Sequence, residues 1–351
     1  MRTKMHMEDR VSVPGEVVPF EDPTSGARGA IVLHSTILGP AAGGCRLTRY
    51  PSDADAVTDA LRLAEGMTLK NALADLPFGG GKAVIRMPAG SFDRKKLFQA
   101  VGRAVEELGG RYITAEDVGT GVADMITVAG ETRYVAGLPA ASGAVGGDPS
   151  PWTALGVLAA MRVAVRHRLG AELSDVTVAV QGTGHVGAAL CELLHEAGAR
   201  LIVSEPRSEI ASRIAVRFGA MVMGSAALLD APADVFAPCA LGGAINEASI
   251  ARLRMPVVCG AANNQLASPE MGARLADRGI LYTPDFLVNA GGIINVAAEY
   301  LGWSQVMVKQ RIDAIGPRTA EVLNRADGQG VLPERAARDL AMLRLVAGAR
   351  R

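Results

Sequence analysis

Lysine is scarce in this sequence, and its positions are informative. Only six of the 36 basic residues are lysine. Two of them, Lys70 and Lys82, lie in the stretch MTLKNALADLPFGGGK at 67–82, the second directly after three glycines. Arginine stays charged in proteins, whereas a partly buried lysine can be shifted toward its neutral form. The block therefore predicts a site that needs an amine. The alternative is a glycine turn followed by a solvated lysine.

Several other features are missing. The 36 acidic residues balance the basic ones, which argues against a nucleic-acid-binding or acidic membrane-binding surface. No apolar run reaches the roughly 18 residues of a membrane span. The polar start MRTKMHMEDRVS is unlike a signal peptide, and the four cysteines form no CxxC pair. We therefore expect a cytoplasmic protein with free thiols. The five histidines lack metal-binding spacing, so we expect no metal.

The length of 351 residues predicts two domains, each with its own core. The clearest change in composition is the glycine- and proline-rich segment GLPAASGAVGGDPSP at 137–151, which we interpret as a hinge. We therefore expect a first domain at 1–140 and a second at 141–325. We expect the C-terminal helices, at about 326–351, to pack back on the first domain.

The pattern of apolar residues predicts alternating strands and helices. In the first domain the predicted strands are 16–20, 29–38, 83–87 and 111–115, the helices are 52–70 and 92–108, and 39–44 is a loop. In the second part the predicted strands are 176–180, 201–204, 235–237, 257–259 and 280–282, and the helices are 152–169, 188–197, 293–300, 306–325 and 332–347. Such alternation is typical of a parallel sheet covered by helices. We expect an α/β protein with two domains flanking a cleft, the second a Rossmann-type domain.

A glycine motif follows the first predicted strand of the second domain and opens a helix. The motif GTGHVG comprises Gly182, Thr183, Gly184, His185, Val186 and Gly187. In a dinucleotide-binding turn the first glycine permits the tight turn, the second lets the pyrophosphate approach, and the third lets helix pack on strand. The motif therefore predicts a dinucleotide site, with the phosphates at the helix N-terminus.

An acidic residue ends the next predicted strand, where a carboxylate can accept a hydrogen bond from a ribose 2′-hydroxyl. This residue is Glu205. A carboxylate there would repel the 2′-phosphate of NADP, so we expect NAD. Arg207 lies nearby and keeps NADP as an alternative.

Seven collinear segments resemble the Glu/Leu/Phe/Val amino-acid dehydrogenase family. They are MTLKNALADLPFGGGKAVI from 67, LGPAAGGCR at 38–46, TAEDVGT at 114–120, GDPSPWTALGV at 147–157, VAVQGTGHVG at 178–187, CGAANNQL at 259–266 and PDFLVNAGGIINV at 284–296. Length and collinearity are closer to the leucine, valine and phenylalanine enzymes than to the longer glutamate dehydrogenases. The resemblance implies reversible oxidative deamination of an L-amino acid to a 2-oxo acid and ammonium.

The resemblance also implies roles for individual residues. Lys82 matches the catalytic lysine, and Asp117 matches the carboxylate that moves protons on the amino group. Lys70, with backbone N–H groups of Gly43 and Gly44, would hold the substrate carboxylate. A neighbouring Lys70 cation would favour the neutral amine of Lys82. The alternative for Asp117 is a turn or helix cap before Gly119.

The substrate side-chain pocket implied by the resemblance is apolar. It consists of Ala42, Ala115, Ile293 and Val296. A glutamate γ-carboxylate would lack a cation there, so we expect leucine, isoleucine or valine as substrate. Ala42 stands where a leucine is common and frees space. Phenylalanine therefore remains an alternative.

Further residues are expected on the cofactor side or in the cleft. The cofactor-side candidates are Arg46, Asp148, Thr153, Cys239, Ala240 and Ala261. The alternative for Asp148 and Thr153 is helix capping near the hinge. One of Asn263 and Asn264 should reach the substrate, and the sequence does not choose between them.

Two other functions stay open. A non-catalytic NAD-binding relative would be favoured by loss of Lys82 or Asp117, and both are present. A 2-hydroxy-acid dehydrogenase usually relies on a histidine with a carboxylate partner, and no histidine lies in such a motif. As partners we expect an L-amino acid, its 2-oxo acid and ammonium, with no nucleic acid and no membrane. We also expect a homo-oligomer.

Overall fold

The computed structural model describes residues 15–139 and 145–350, which form two units. The first unit contains the described residues up to Gly147, with Val296–Ser304 and the residues from Ala341. The second contains Asp148–Asn295 and Gln305–Leu340. The expected boundary between 140 and 141 lies outside the described residues. The C-terminal residues that belong to the first unit begin at Ala341, whereas the sequence predicted that they begin at about 326.

The first unit is built on a five-stranded mixed sheet. Its elements are β1 (Glu16–Asp22), β2 (Ala27–Ser35), β3 (Ala41–Thr48), α1 (Asp53–Leu73), β4 (Gly79–Arg86), α2 (Arg94–Glu106), β5 (Tyr112–Glu116) and α3 (Val122–Ala129). The strand order is β1-β2-β4-β3-β5. β3 runs parallel to both its neighbours, whereas β2 is antiparallel to β1 and β4. The carboxyl ends of β3, β4 and β5 therefore meet at one edge of the sheet.

Helix α1 covers one face of this sheet, and its sequence explains how closely it packs. Ser52 caps the helix by accepting a hydrogen bond from the Asp55 amide, as the predicted start requires. One helix face consists of alanines one turn apart, and these pack on small or β-branched strand residues. The cluster contains Ala30, Val32, Ala56, Ala60, Ala64 and Val84. Alanines let the helix axis lie close to the strands.

Two glycine-rich segments that the sequence predicted as a loop and a turn are strands. β3 begins at Ala41 inside the predicted loop, and β4 begins at Gly79 with the three glycines. An ideal Cβ on Gly80 would stand 2.1 Å from the backbone nitrogen of Thr68 in α1. An ideal Cβ on Gly81, on the other face, would stand 2.9 Å from the Tyr112 ring. Close packing on both faces requires glycine there, so the segment carries no strand-like side-chain pattern.

The second unit contains a six-stranded sheet in which every strand is parallel to its neighbours. Its elements begin with α4 (Ser150–Leu169), β6 (Thr177–Gln181), α5 (His185–Glu196), β7 (Arg200–Ser204), α6 (Ser208–Phe218), β8 (Met221–Val222), α7 (Ser225–Leu228) and β9 (Val235–Pro238). They continue with α8 (Glu247–Arg252), β10 (Val257–Val258), α9 (Glu270–Asp277), β11 (Leu281–Tyr282) and α10 (Asp285–Val288). The order β11-β10-β9-β6-β7-β8 is that of a Rossmann fold, with its switch point between β6 and β9. The expected α/β class is confirmed.

Four further helices complete the chain. They are α11 (Gly291–Leu301), α12 (Gln305–Asp313), α13 (Ile315–Gln329) and α14 (Pro333–Gly348). The prediction of a single helix at 306–325 is wrong. The structure has two helices there, α12 and α13, which are separated at Ala314, and Pro317 lies in the first turn of α13. Proline is tolerated in a first turn, where its missing N–H has no helical partner. No helix in the described ranges combines the length and apolarity needed to cross a membrane.

The close packing of α1 on β4 gives a paired stability prediction. Gly80→Ala should destabilise the protein by about 1–3 kcal/mol, because its Cβ would collide with the backbone of α1. Gly66→Ala lies within α1 with nothing inside 4 Å of its Cβ, and should stabilise by about 0.5–1 kcal/mol. Urea unfolding of both variants measures the difference. Equal stabilities would show that α1 does not press on Gly80.

Candidate active site

Strand alternation brings the candidate catalytic residues to one face of the first sheet. Val84 of β4 packs under α1, and Lys82 is two residues earlier on the same strand. Because alternate residues of a strand point to the same side, Lys82 faces α1. Cys45 and Leu47 of β3 belong to the core on the opposite face. Arg46, between them, therefore also faces α1.

Lys82 and Asp117 form a largely buried ion pair. Lys82 Nζ lies 3.0 Å from Asp117 Oδ2, and the two side chains are 6% and 15% exposed. Asp117 follows β5, and its amide donates to the Thr120 hydroxyl at 2.8 Å. The same hydroxyl donates to the Cys45 carbonyl of β3 at 2.9 Å, which fixes the turn. Asp117 therefore lies in a hydrogen-bonded turn, and its side chain also pairs with a cation.

Gly44 lies directly beside this pair. An ideal Cβ on Gly44 would stand 2.8 Å from the Asp117 Cβ. Any side chain there would displace the carboxylate. Glycine therefore lets β3 pack directly against Asp117.

Arg46 contacts the same carboxylate, although the sequence placed it among the cofactor residues. Its Nε donates to Asp117 Oδ2 at 2.8 Å, and its Nη1 donates to Asp59 Oδ2 at 3.2 Å. The Tyr50 hydroxyl donates to the same Asp59 oxygen at 2.7 Å. The guanidinium is therefore engaged by two carboxylates of the first unit.

The charge state of Asp117 follows from these contacts. Burial alone would raise the pKa of Asp117, but the Lys82 and Arg46 cations outweigh it and hold the pKa below its ordinary value. The carboxylate is therefore charged at neutral pH. The stability that this lowered pKa contributes is present above the ordinary aspartate pKa and is lost as pH falls through the lowered one.

Tyr112 lies in the core on the face of the sheet opposite Lys82, and the sequence did not single it out. Its hydroxyl donates to the Gly43 carbonyl at 2.7 Å and accepts the Ala83 amide at 3.0 Å. It therefore bridges β3 and β4 directly next to Lys82. Burial raises the pKa of Tyr112 well above its ordinary value, so the hydroxyl stays neutral.

Asn71 is a second positioning residue that the sequence analysis missed. Its side-chain amide is fully buried and donates to the Gly79 carbonyl at 2.6 Å. This bond ties the last turn of α1 to the start of β4. Lys70, the preceding residue, is half-buried in that last turn. A buried asparagine inside an otherwise apolar stretch was the available signal.

The predicted pocket residues fall into two groups. Ala42 of β3 and Ala115 of β5 are buried in the first sheet. Ile293 and Val296 are half-buried and lie one turn apart on α11, so they share a helix face. Val296 belongs to the first unit and Ile293 to the second.

The glycine motif in the second unit has the geometry of a dinucleotide-binding turn. Gly182 follows β6 with φ +89°, a conformation that favours glycine. An ideal Cβ on Gly187 would stand 2.0 Å from the Gly182 carbonyl oxygen, so helix and strand are in close contact. Gly184 precedes α5 and has nothing within 4 Å of its ideal Cβ. His185 and Val186 form the first turn of α5 and leave its N-terminal N–H groups free of a side-chain cap.

The Glu205 side chain is hydrogen-bonded to this turn. Its Oε2 accepts from the Thr183 amide at 3.1 Å, and its Oε1 accepts from Arg207 Nε at 2.6 Å. The Glu205 side chain is 4% exposed, whereas that of Arg207 is 63% exposed. The Arg207 hydrogen bond, aided by the Thr183 amide, lowers the pKa of Glu205 to about 2. The carboxylate is therefore charged and held in place.

Residues after β9 and β10 reach the same edge of the second sheet. Ala240 lies against Gly182, with its Cα 3.0 Å from the ideal Cβ there. The Ala261 carbonyl accepts from Asn289 Nδ2 at 3.0 Å. Burial raises the pKa of Cys239 to about 12, so its sulfur is a thiol and not a thiolate. Cys239 therefore contributes shape and no charge.

The adjacent asparagines differ in structure. Asn263 Oδ1 accepts from Asn289 Nδ2 at 2.8 Å, which orients the side chain. Asn264 has φ +50°, and its carbonyl accepts from the Gly243 amide at 2.8 Å. Gln265, fully buried, anchors this turn by donating to the Gly260 and Ala262 carbonyls. Asn264 thus shapes the turn that presents Asn263.

Asp148 and Thr153 make local contacts at the start of α4. Asp148 Oδ1 accepts from the Ser150 amide at 2.9 Å, and Thr153 Oγ1 donates to the Pro149 carbonyl at 3.0 Å. Both contacts are local to the start of α4, and neither is a side-chain cap from the N-cap residue, which is Pro149. An ideal Cβ on Gly292 would also stand 2.7 Å from Thr153 Oγ1, which places the start of α11 beside it.

The described part of the chain holds no group of three or more His, Cys, Asp and Glu side chains arranged to bind a metal. The four cysteines are free.

Two sequence profiles match the chain. One, described as "Glu/Leu/Phe/Val dehydrogenase, dimerisation domain", matches residues 14–134. The other, "Glutamate/Leucine/Phenylalanine/Valine dehydrogenase", matches residues 148–213 and 203–347. The chain belongs to the Glu/Leu/Phe/Val dehydrogenase family. It is an amino-acid dehydrogenase, and the family implies a nicotinamide cofactor.

Similar proteins share most of the length of this dehydrogenase. A leucine dehydrogenase from Thermoactinomyces intermedius is 45% identical over 90% of this chain and 86% of its own. A valine dehydrogenase from Streptomyces coelicolor is 45% identical over 94% and 92%. The crystal structure of L-tryptophan dehydrogenase from Nostoc punctiforme superposes with a TM-score of 0.84 at 38% identity, covering 96% of this chain and 98% of that one.

The second unit of the dehydrogenase fits a nicotinamide dinucleotide. The open backbone at Gly184 and the free N–H groups at the start of α5 suit a pyrophosphate. The Glu205 carboxylate follows the neighbouring strand, where a ribose would lie. The donor set therefore agrees with the cofactor that the family implies.

The open space at Gly184 gives a binding prediction. Gly184→Ala should weaken NADH binding about tenfold or more, a change of about 1.4 kcal/mol, because the added methyl group occupies the approach of the pyrophosphate. Its Tm should not change, since nothing lies within 4 Å of the new atom. Gly224→Ala, equally open and before α7, is the matched control. Fluorescence titration and thermal unfolding separate the two effects. Unchanged NADH affinity in Gly184→Ala would contradict the assignment.

Proposed function

We propose that this protein catalyses the reversible, NAD-dependent oxidative deamination of an apolar L-amino acid of the leucine, isoleucine and valine type. The observation that carries the proposal is the buried Lys82–Asp117 pair, with Gly44 packed directly against the aspartate. The similarity to leucine and valine dehydrogenases supports the substrate class. The overall change converts amino acid, NAD⁺ and water into 2-oxo acid, NADH, ammonium and a proton.

Substrate binding in this proposal uses the end of α1 and the glycines of β3. Lys70 supplies the cation for the substrate carboxylate, aided by backbone N–H groups of Gly43 and Gly44. Met67, one turn before Lys70, lies 3.2 Å from the ideal Cβ on Gly43, so this end of the helix covers the glycines. Asn263, the oriented member of its pair, is the better candidate for a further polar contact with the substrate.

The chemistry requires a base and a proton carrier next to each other. A nicotinamide held by the second unit would supply the acceptor for the hydride that leaves Cα of the substrate. In its neutral form, after loss of its proton, Lys82 takes a proton from the water that attacks the resulting iminium carbon, and later returns it. Asp117 exchanges protons with the substrate nitrogen. Because Lys82 Nζ and Asp117 Oδ2 are 3.0 Å apart, a proton can pass directly between them.

The substrate side chain would contact Ala42, Ala115, Ile293 and Val296. None of these carries a charge, so a γ-carboxylate would lose its hydration without a partner. Each buried CH₂ contributes roughly 0.8 kcal/mol, which makes leucine, isoleucine and valine overlapping substrates. The small Ala42 side chain and the similarity to L-tryptophan dehydrogenase favour an aromatic amino acid as the second candidate.

A panel of L-amino acids tests the function. We expect NADH formation with leucine, isoleucine and valine, and hardly any with glutamate. Lys82→Ala should lose roughly 10²–10⁴-fold or more in kcat, the usual contribution of a general base, while it still binds NADH. Normal turnover in this variant would remove Lys82 from the mechanism. Glutamate as the best substrate would contradict the pocket, and an aromatic optimum would select the second candidate.

NAD is the proposed cofactor because of Glu205. Its charged, immobilised carboxylate can accept from a ribose 2′-hydroxyl and would repel a 2′-phosphate. Arg207 could attract that phosphate, but its Nε is already engaged by Glu205. Because the Arg207 charge is neutralised by this pair, the ribose acceptor Glu205 is the feature that supports NAD.

Cofactor preference can be tested at these two positions. Glu205→Ala should weaken NAD binding and narrow the NAD-over-NADP ratio of kcat/KM, because both the acceptor and the repulsion are lost. Arg207→Ala is the matched control and should leave NAD preferred. The measurement is kcat/KM for both cofactors with leucine. A wild-type preference for NADP would instead make Arg207 the selecting residue.

The setting of the enzyme is also part of the proposal. Four free cysteines suit a reducing cytosol, so we place the protein in the cytoplasm. The profile that matches residues 14–134 is described as a dimerisation domain, which supports a homo-oligomer. Its small-molecule partners would be the amino acid, the 2-oxo acid and ammonium.

A further inference from the structure

The Asp117 carboxylate is held asymmetrically. One oxygen, Oδ2, accepts from both Lys82 Nζ at 3.0 Å and Arg46 Nε at 2.8 Å. Arg46 is in turn fixed by Asp59, whose Oδ2 also accepts from the Tyr50 hydroxyl. The polar chain from Tyr50 to Lys82 therefore alternates in charge. Its cations converge on one oxygen of Asp117.

We propose that Arg46 is a positioning residue for the deamination reaction, which holds Asp117 by Oδ2 so that Oδ1 is presented to the substrate nitrogen. The inference rests on the proposed function. It assigns Arg46 to the proton-transfer step and not to the cofactor.

An arginine suits this position for a geometric reason. Its Nε and Nη1 project in fixed, different directions and reach two carboxylates on separate elements, Asp117 after β5 and Asp59 in α1. A lysine ammonium is a single point on a flexible stem and cannot hold both in the same way. The Arg46 side chain is largely buried, so water cannot replace the contacts freely.

The charges that face Asp117 determine what removing Arg46 does. The groups around Asp117 are Lys82 from β4, Arg46 and Cys45 from β3, Tyr112 from β5, Tyr50 after β3, and Asp59 from α1, which pairs with Arg46. Burial raises the pKa of Cys45 to about 12 and raises those of Tyr112 and Tyr50, so these three groups are neutral. Without Arg46, Asp117 keeps the Lys82 cation, whereas Asp59 loses its closer cation and retains only the exposed Arg62 at 3.7 Å. Protonation of Asp117 then becomes easier.

The test compares pH profiles of leucine oxidation. Arg46→Met removes the cation. Arg46→Lys keeps the positive charge but lacks the two differently directed donors of the guanidinium. Arg62→Met is the matched control. Arg62 is 62% exposed and approaches the other oxygen of Asp59 at 3.7 Å, so it changes the same carboxylate without touching Asp117. NADH binding shows that the cofactor unit of each variant is intact.

We expect Arg46→Met to lose about ten- to a hundredfold in kcat, with the acid limb of the kcat/KM profile moved to higher pH. Arg46→Lys should move the acid limb of the kcat/KM profile back toward its wild-type pH. It should recover kcat only in part, because lysine restores the charge but does not orient the Asp117 carboxylate. Arg62→Met should match the wild type. An unmoved limb in Arg46→Met, or full recovery of kcat in Arg46→Lys, overturns the inference.

Instability of Arg46→Met would not leave the question open. The double variant Arg46→Met with Asp59→Asn removes both buried charges together and should fold, because no unpaired ion remains. It should still show the reduced kcat, and wild-type kcat in it overturns the inference. A wild type inactive toward every apolar amino acid would instead remove the proposed function. An active wild type with unaltered variants removes only the role of Arg46.

Discussion

The buried ion pair of Lys82 and Asp117 is the constraint on which the first unit depends. Moving two charges out of water costs several kcal/mol per ion, and their attraction offsets this only with good geometry and further hydrogen bonds. Arg46 supplies a second cation for Asp117, and the Thr120 hydroxyl fixes its backbone. Tyr112 bridges the two strands beside the lysine. Together these contacts hold the two side chains at a defined distance, 3.0 Å between Lys82 Nζ and Asp117 Oδ2.

Glycine serves two opposite purposes in this protein. Gly44, Gly80 and Gly187 lie where an added Cβ would collide with backbone or with a catalytic side chain, so they permit close packing. Gly184 faces open space, so it permits the approach of a ligand. Glycines of the first kind let helix and strand pack closely in each unit. The second kind leaves room for the molecule that the site must hold.

The two units also use carboxylates in different electrostatic settings. Asp117 lies between two cations in a buried position, and its lowered pKa reflects the balance between burial and their attraction. Glu205 is held by Arg207 and by a backbone amide of the glycine turn. A carboxylate between cations can exchange protons with a neighbour, whereas one fixed at a turn acts as a permanent acceptor. In the proposed mechanism the same functional group would serve proton transfer in one unit and ribose recognition in the other.

The sequence by itself determined the features that depend on neighbours along the chain. The glycine turn before α5, the Ser52 cap of α1 and the order of strands and helices in the second unit are of this kind, because turn, cap and periodicity are local. Lys82 and Asp117 were also predicted as candidates, through the resemblance to the family, and their catalytic roles stay a prediction. Only the tertiary structure decided that Gly79–Gly81 form a strand, since the reason is the helix packed against them. It also decided that Arg46 pairs with Asp117 and that Tyr112 bridges β3 and β4, because these contacts join segments far apart in sequence that only the folded sheet brings side by side.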